Sequence, residues 1–221
     1  MAIREFTATE RRVPLNRERV LAAAVELADR EGIDALSMRR LGQELSVEAM
    51  ALYNHVANKD DLLNGITDLV LREIELPEAG NWKDALRRHA ISAHDVLVSH
   101  PWACSLALSP DRNSTASVER AEWMLQQLRE GGFSPEVTYH AYHAVDAHIL
   151  GFTLWQLGHG IVDAEHLKEM AAEFFRRFGP DEFPYLREHA DQHFAGFGSK
   201  GKGAYELVLD LILDGIERDA A

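Results

Sequence analysis

Between Ser37 and Lys59 the sequence reads SMRRLGQELSVEAMALYNHVANK, and its side chains suit contact with the edges and phosphates of base pairs. The Asn54 amide can donate to and accept from adenine at the same time, and Ala49, Met50 and Ala51 are apolar groups able to touch thymine methyls. Tyr53 and His55 can hydrogen-bond phosphate oxygens. Lys59, at the N-terminus of a helix whose first amides are unpaired, suits a further phosphate.

These groups read a double helix only if a rigid element presents them, and the flanking residues supply one. Ser37 caps a short helix to Leu45, Ser46 and Val47 make a turn, and Ala49 to Val56 form a second short helix. Leu41, Leu45, Val47, Leu52 and Val56 supply the apolar contacts that lock the two at a steep angle, the outline of a helix-turn-helix. Gly42 falls where they cross. A glycine inside a helix costs about 0.5 to 1 kcal/mol relative to alanine, so a close backbone approach there is the natural reason for it. With the core face so assigned, Ala49, Met50, Ala51, Tyr53, Asn54 and His55 lie at the start or outer side of the second helix, the end that enters a major groove. Ahead of this pair, Arg17 to Glu31 form a helix capped by Asn16 and stopped by Gly32, with Val20, Ala24, Leu27 and Ala28 on one stripe. Behind it, Asn58 caps a longer helix that starts at Lys59, continues past Leu71 and ends before Pro77 and Gly80.

On these residues the segment RVLAAAVELADREGIDALSMRRLGQELSVEAMALYNHVANKDDLL, Arg19 to Leu63, resembles the DNA-binding domain of the tetracycline-repressor (TetR) family. Leu52, Tyr53, His55, Val56, Asn58 and Lys59 stand in the family's LYxHVxNK pattern. The resemblance implies DNA contact by Met38 and Arg39 at the start of the first short helix, then by Ala49, Met50, Ala51, Tyr53, Asn54, His55 and Lys59. Ser46 departs from the common turn glycine, which a residue without a β-branch can tolerate at a modest conformational cost.

The remainder is also helical in pattern, and the expected fold class is all-α. Capping residues precede helices from Asn81 to about His100, after Pro101, from Ser114 to Glu130, and from Ser134 with Pro135 to about Leu157. Asp163 opens another to about Phe178. A looser stretch with Pro180, Pro184, Gly196, Gly198, Gly201 and Gly203 is expected to be a mobile loop before a final helix ending near Arg218. The expected domains are 1–62, a helix-turn-helix DNA-binding domain, and 63–221, a helical effector-binding and dimerisation domain. HPWACSLAL, SPEVTYHAYHAVDAHILGFTL and YELVLDLILDGIE are similar to the family's carboxy-terminal domain, which implies a homodimer on a palindromic operator, released by a small-molecule effector. In the last helix Glu206, Asp210, Asp214 and Glu217 form one narrow stripe and apolar residues fill the remaining arc, a pattern of burial on two sides. Val137, Ala141, Val145, His148, Phe152 and Trp155 form a stripe on the Ser134 helix, one side of which can face a partner subunit.

The formal net charge of −13 is unpromising for a DNA partner, since phosphate neutralisation needs local Lys and Arg. Residues 1–60, however, carry nine Lys plus Arg against ten Asp plus Glu, so the acid belongs almost wholly to the rest. Arg4, Arg11, Arg12, Arg17 and Arg19 gather into a basic arm. A single cysteine, Cys104, excludes an internal disulfide and fits a reducing cytoplasm. No apolar stretch has the length of a bilayer span, so no membrane association is expected. His140 and His143 share a helical face but His148 is five residues on, so no metal site and no cofactor are expected. Trp102, Trp123, Gln127, His148 and Phe152 could line an effector pocket, with core packing the alternative for each. No nucleophile, base or metal-ligand arrangement supports an enzyme. The alternative reading is a helical enzyme or interaction protein whose helix-turn-helix is only structural.

Overall fold

The structure is a computed structural model that describes residues 14–78, 80–109, 114–158, 169, 172–179, 182–196 and 203–219. The basic arm before residue 14, the helix expected from Asp163 over its first turns, and Gly198 and Gly201 lie outside the described residues. All the described regular elements are helical, as the sequence pattern implies. The chain divides into two compact units, Met1–Leu69 and Val70–Ala221.

The first unit begins with α1 (Arg17–Glu31). Asn16 caps it by accepting from the Arg19 amide at 2.8 Å, and Gly32 ends it at φ 84°, where a side chain would be strained. Two short helices follow, α2 (Met38–Glu44) and α3 (Ala49–Leu52), and then α4 (Lys59–Leu71), whose last two residues belong to the second unit. Val20, Ala24 and Leu27 from α1 meet Leu41, Leu52, Leu62 and Ile66, all wholly buried. Two spans are shorter than the sequence pattern suggests. α3 ends at Leu52 rather than Val56, because the amides of Asn54 and His55 bond three residues back, to Ala51 and Leu52, at 3.4 and 2.9 Å. This tightens the chain into a turn. α4 stops at Leu71 for the same reason, with the Glu73 amide bonding Val70 at 3.1 Å and the Ile74 amide bonding Leu71 at 3.3 Å.

The second unit holds α5 (Trp82–Ser99), α6 (Pro101–Ala107), α7 (Thr115–Glu130), α8 (Pro135–Gly158), α9 (Pro184–Gly196) and α10 (Ala204–Asp219). α8 is central, packing against α5, α6, α7 and α10. Asn81 and Ser114 cap their helices as expected. Within the stretch expected as a loop, Pro184 opens the 13-residue helix α9, a first-turn position where its missing N–H costs nothing.

The acidic stripe of α10 faces a neighbouring helix. Arg87 of α5 reaches Glu206 and Asp210 at 2.5 and 2.7 Å, and Lys83 reaches Asp214 and Glu217 at 2.7 and 2.5 Å. Leu209 and Leu213 are buried beside it, whereas Leu207, Val208 and Leu211 of α10 and Leu154 and Trp155 of α8 remain exposed.

Candidate nucleic-acid interface and ligand cavity

The turn between α2 and α3 is fixed by close backbone contacts. The Val47 amide donates to the Gly42 carbonyl at 2.9 Å, and a Cβ on Gly42 would stand 2.9 Å from the Val47 carbonyl oxygen, so only glycine fits. Ser46 has φ 54°, the left-handed conformation that a glycine would adopt without strain. Ser37 accepts from the Arg40 amide at 3.2 Å and starts α2.

α3 and the turn after it present the candidate reading residues. Met50 is 74% and Tyr53 44% exposed, large side chains left in water with nothing of their own unit to cover them. Arg39, Asn54 and Lys59 are exposed, and Met38, Ala49, Ala51 and His55 are half-buried. Tyr53, Asn54 and His55 stand in the tight turn and not on the helix itself. Arg40 is turned away from this face, bonding Glu31 at 2.6 Å and Glu44 at 3.2 Å.

Arg17, which the sequence offers only as part of the basic arm, and Asp61, which it does not mark, hold the turn after α3 in place. Arg17 forks onto the two carboxylate oxygens of Asp61 at 2.7 and 2.9 Å and donates to the His55 carbonyl at 2.9 Å. Asp61 also accepts from the Ala57 amide at 2.8 Å. Arg17 and the Ala57 amide together hold the Asp61 carboxyl below its ordinary range. A pairing across 44 residues leaves no local signal, and Arg17 reads in sequence as one more basic residue.

In the second unit a cavity of about 240 Å³ has apolar walls that include Leu71, Ile74, Leu97 and Ile149. Its charged wall is the Arg120–Asp146 pair, 2.6 Å apart and 13% and 19% exposed. Tyr142 lies beside the pair, and burial, with the Asp146 charge second, raises its phenol above the ordinary tyrosine range.

The five residues expected to line an effector pocket do not line this cavity. Trp102 is buried on α6, Gln127 is buried on α7, and Trp123 packs its ring 4.8 Å from that of His89. His148 and Phe152 do come together, in a cluster around Tyr205 whose ring is stacked between His94, at 4.0 Å, and His148, at 4.6 Å. Of these aromatics Trp102 is core, and Trp123 and Phe152 are half-buried against other rings. The void opens instead where α5 and α6 carry the small side chains of Ala93 and Ala107. Near it His89 is wholly buried and donates from Nδ1 to the Glu75 carbonyl at 2.8 Å, leaving Nε2 without a partner. Burial, with the Arg120 charge second, lowers the His89 pKa to about 4. No group of three or more His, Cys, Asp or Glu side chains able to hold a metal ion occurs among the described residues.

Two family models match the chain. Residues 20–66 match that for bacterial regulatory proteins of the tetR family, and residues 76–220 match the tetracyclin repressor-like C-terminal domain. The chain belongs to the TetR family. An HTH-type transcriptional repressor of Mycobacterium tuberculosis is 35% identical over 209 residues, covering 90% of this chain and 79% of that one. A TetR-type transcriptional regulator from Streptomyces coelicolor has a similar structure, with a TM-score of 0.80 and 28% identity, covering 94% of this chain and all of that one. The structure of the TetR-family protein ActR from the same organism, in complex with (S)-DNPA, gives a TM-score of 0.71 and 27% identity, covering 95% of this chain and all of that one.

As a TetR-family member the protein is a DNA-binding transcriptional regulator. No described helix is long and apolar enough to cross a membrane.

Proposed function

We propose that the protein represses transcription as a homodimer that reads a palindromic operator through Met38, Arg39, Ala49, Met50, Ala51, Tyr53, Asn54, His55 and Lys59, and that a small-molecule effector releases it. The observation that carries the DNA reading is the exposure of Met50 on α3 and of Tyr53 in the turn after it, with Gly42 and Ser46 fixing the turn before α3 and Arg17 the turn after it. Exposed large apolar groups on a fixed helix end suit a groove that carries thymine methyls. The exposed Leu207, Val208 and Leu211, with Leu154 and Trp155, support dimerisation, since a second copy would remove them from water. Two copies would set their reading turns about 34 to 36 Å apart, or a multiple of this, against two half-sites.

The cavity is the effector site in this reading. It has the apolar walls and small number of polar groups of a ligand pocket. ActR, a protein of the same fold, is seen with a small molecule bound. An effector seated there touches Leu71, the last residue of the helix that Lys59 begins. It releases DNA only by binding the non-operator conformation more tightly than the operator-bound one.

Selection of duplexes from a random library by the purified protein, with affinity then measured at two salt concentrations, tests the DNA reading. Enrichment of a palindrome whose affinity falls steeply with salt is the expected result. No enrichment by folded, dimeric protein would shift the assignment to an interaction protein.

A further inference from the structure

The cavity carries two opposite charges already matched to each other. Arg120 Nη2 and Asp146 Oδ1 are 2.6 Å apart, both groups are largely shielded from water, and they are the only formally charged side chains among the described lining residues. His89, near the pair, is held neutral by burial and is already committed at Nδ1 to the Glu75 carbonyl. A ligand bearing a net charge would therefore enter a site with no free counter-charge. A carboxylate would have to share Arg120 with Asp146, putting two shielded anions on one cation, and an ammonium would in the same way share Asp146 with Arg120, so either ion leaves one charge uncompensated away from water. A hydroxyl faces no such conflict, because it donates to the carboxylate and accepts from the guanidinium at once. The Tyr142 phenol beside the pair, which has no hydrogen-bond partner among the described residues, offers a second donor or acceptor to the same group.

The volume limits the rest of the molecule. An engineered apolar cavity of about 150 Å³ holds benzene, so the present 240 Å³ suits a body of about ten non-hydrogen atoms, one or two rings. Resting on the reading of this cavity as the effector site, we infer that its ligand is a neutral one- or two-ring apolar molecule whose hydroxyl sits against Arg120 and Asp146, and that organic anions and cations are excluded.

Three probes of nearly the same size test this on the full-length protein: 2-naphthol, 2-naphthoate and 2-naphthylmethylammonium, with binding read by calorimetry. The wild type binds 2-naphthol at least about ten-fold more tightly than either ion. Asp146→Asn leaves Arg120 without its counter-charge and shifts the preference to 2-naphthoate, and Arg120→Gln shifts it to the ammonium. Circular dichroism confirms that each variant is folded. Should one variant not fold, the wild-type ranking and the other variant still decide. Tighter binding of either ion to the wild type, or variants that keep the wild-type ranking, overturns the inference while leaving the cavity a ligand site. No binding of any probe overturns both the inference and the reading of the cavity. The same follows if Ala93→Phe, which fills the cavity, leaves 2-naphthol binding unchanged.

Discussion

Arg17 meets Asp61 through two parallel hydrogen bonds of 2.7 and 2.9 Å, and its guanidinium also holds the carbonyl of His55. The contact joins the first turn of α1 to the first turn of α4 and fixes, between them, the turn that presents Tyr53, Asn54 and His55. Arg17→Lys keeps the charge but loses the planar fork. It is expected to weaken operator affinity by about ten-fold while changing unfolding stability by about 1 kcal/mol or less, the usual worth of an exposed pair. Parallel titrations of DNA binding and urea unfolding check this; an unchanged affinity would show that the brace does not position the reading turn. Because Arg17 lowers the Asp61 pKa, the contribution of the pair is complete above the ordinary aspartate value near 4 and is lost as pH falls below it.

Gly42 and Ser46 lie in one turn yet should respond with opposite signs. Gly42→Ala gains helix propensity, but its Cβ stands 2.9 Å from a backbone oxygen that cannot rotate away. The clash outweighs the gain, and a net loss of about 1 to 2 kcal/mol is expected. Ser46→Gly relieves a left-handed conformation at φ 54° and is expected to stabilise by about 0.5 to 1 kcal/mol. Thermal melts of the two variants beside the wild type test both signs.

The same turn shows what the sequence conveys and where it stops. Asn16, Ser37, Asn81 and Ser114 are side chains that bond the backbone within three residues, so their helix starts are written locally, as is the need for glycine at Gly42. The end of α3 is not, because a switch from four-residue to three-residue bonding at Asn54 and His55 leaves the apolar spacing of Leu52 and Val56 unchanged. The proposed reading residues share one segment of the sequence, Met38 to Lys59. The cavity draws on five stretches of chain, and its shape follows from where small side chains such as Ala93 and Ala107 leave a gap. Of the large aromatics that the sequence offers for a pocket, Trp102 is buried, and Trp123 and Phe152 are half-buried against other rings. The acidic stripe of α10 was legible, but its partners Lys83 and Arg87 lie more than a hundred residues away.

His89 should make the second unit sensitive to acid. Its folded pKa of about 4 lies below the ordinary histidine value, so the unfolded chain binds a proton first as pH falls. The contribution of the neutral ring is complete above about pH 6.5 and declines as pH falls towards 4, by about 3 kcal/mol in all. Burial lowers His94 and His148 in the same direction. His89→Phe removes the titration, so its stability profile between pH 6.5 and 4 should be flatter than that of the wild type even though its stability at pH 7 is lower. Urea unfolding at half-unit pH intervals measures both slopes, and equal slopes would show that His89 is not the acid-sensitive group.

Lys59 and Asn54 should separate affinity from specificity. Lys59, exposed at the start of α4, suits a phosphate, and a phosphate contact is blind to sequence. Lys59→Ala is therefore expected to weaken all duplexes alike and to reduce the slope of log affinity against log salt by about 1. Asn54, exposed in the turn after α3, suits an adenine edge. Asn54→Ala should leave the salt slope unchanged, cost about 1 to 3 kcal/mol on the selected operator, and cost little on a duplex altered at the base pair it reads. The measurement is a salt titration of each variant on the selected operator and on singly substituted duplexes. If Asn54→Ala lowers the salt slope and spares specificity, Asn54 holds a phosphate and the base contacts fall to Ala49, Met50 and Ala51.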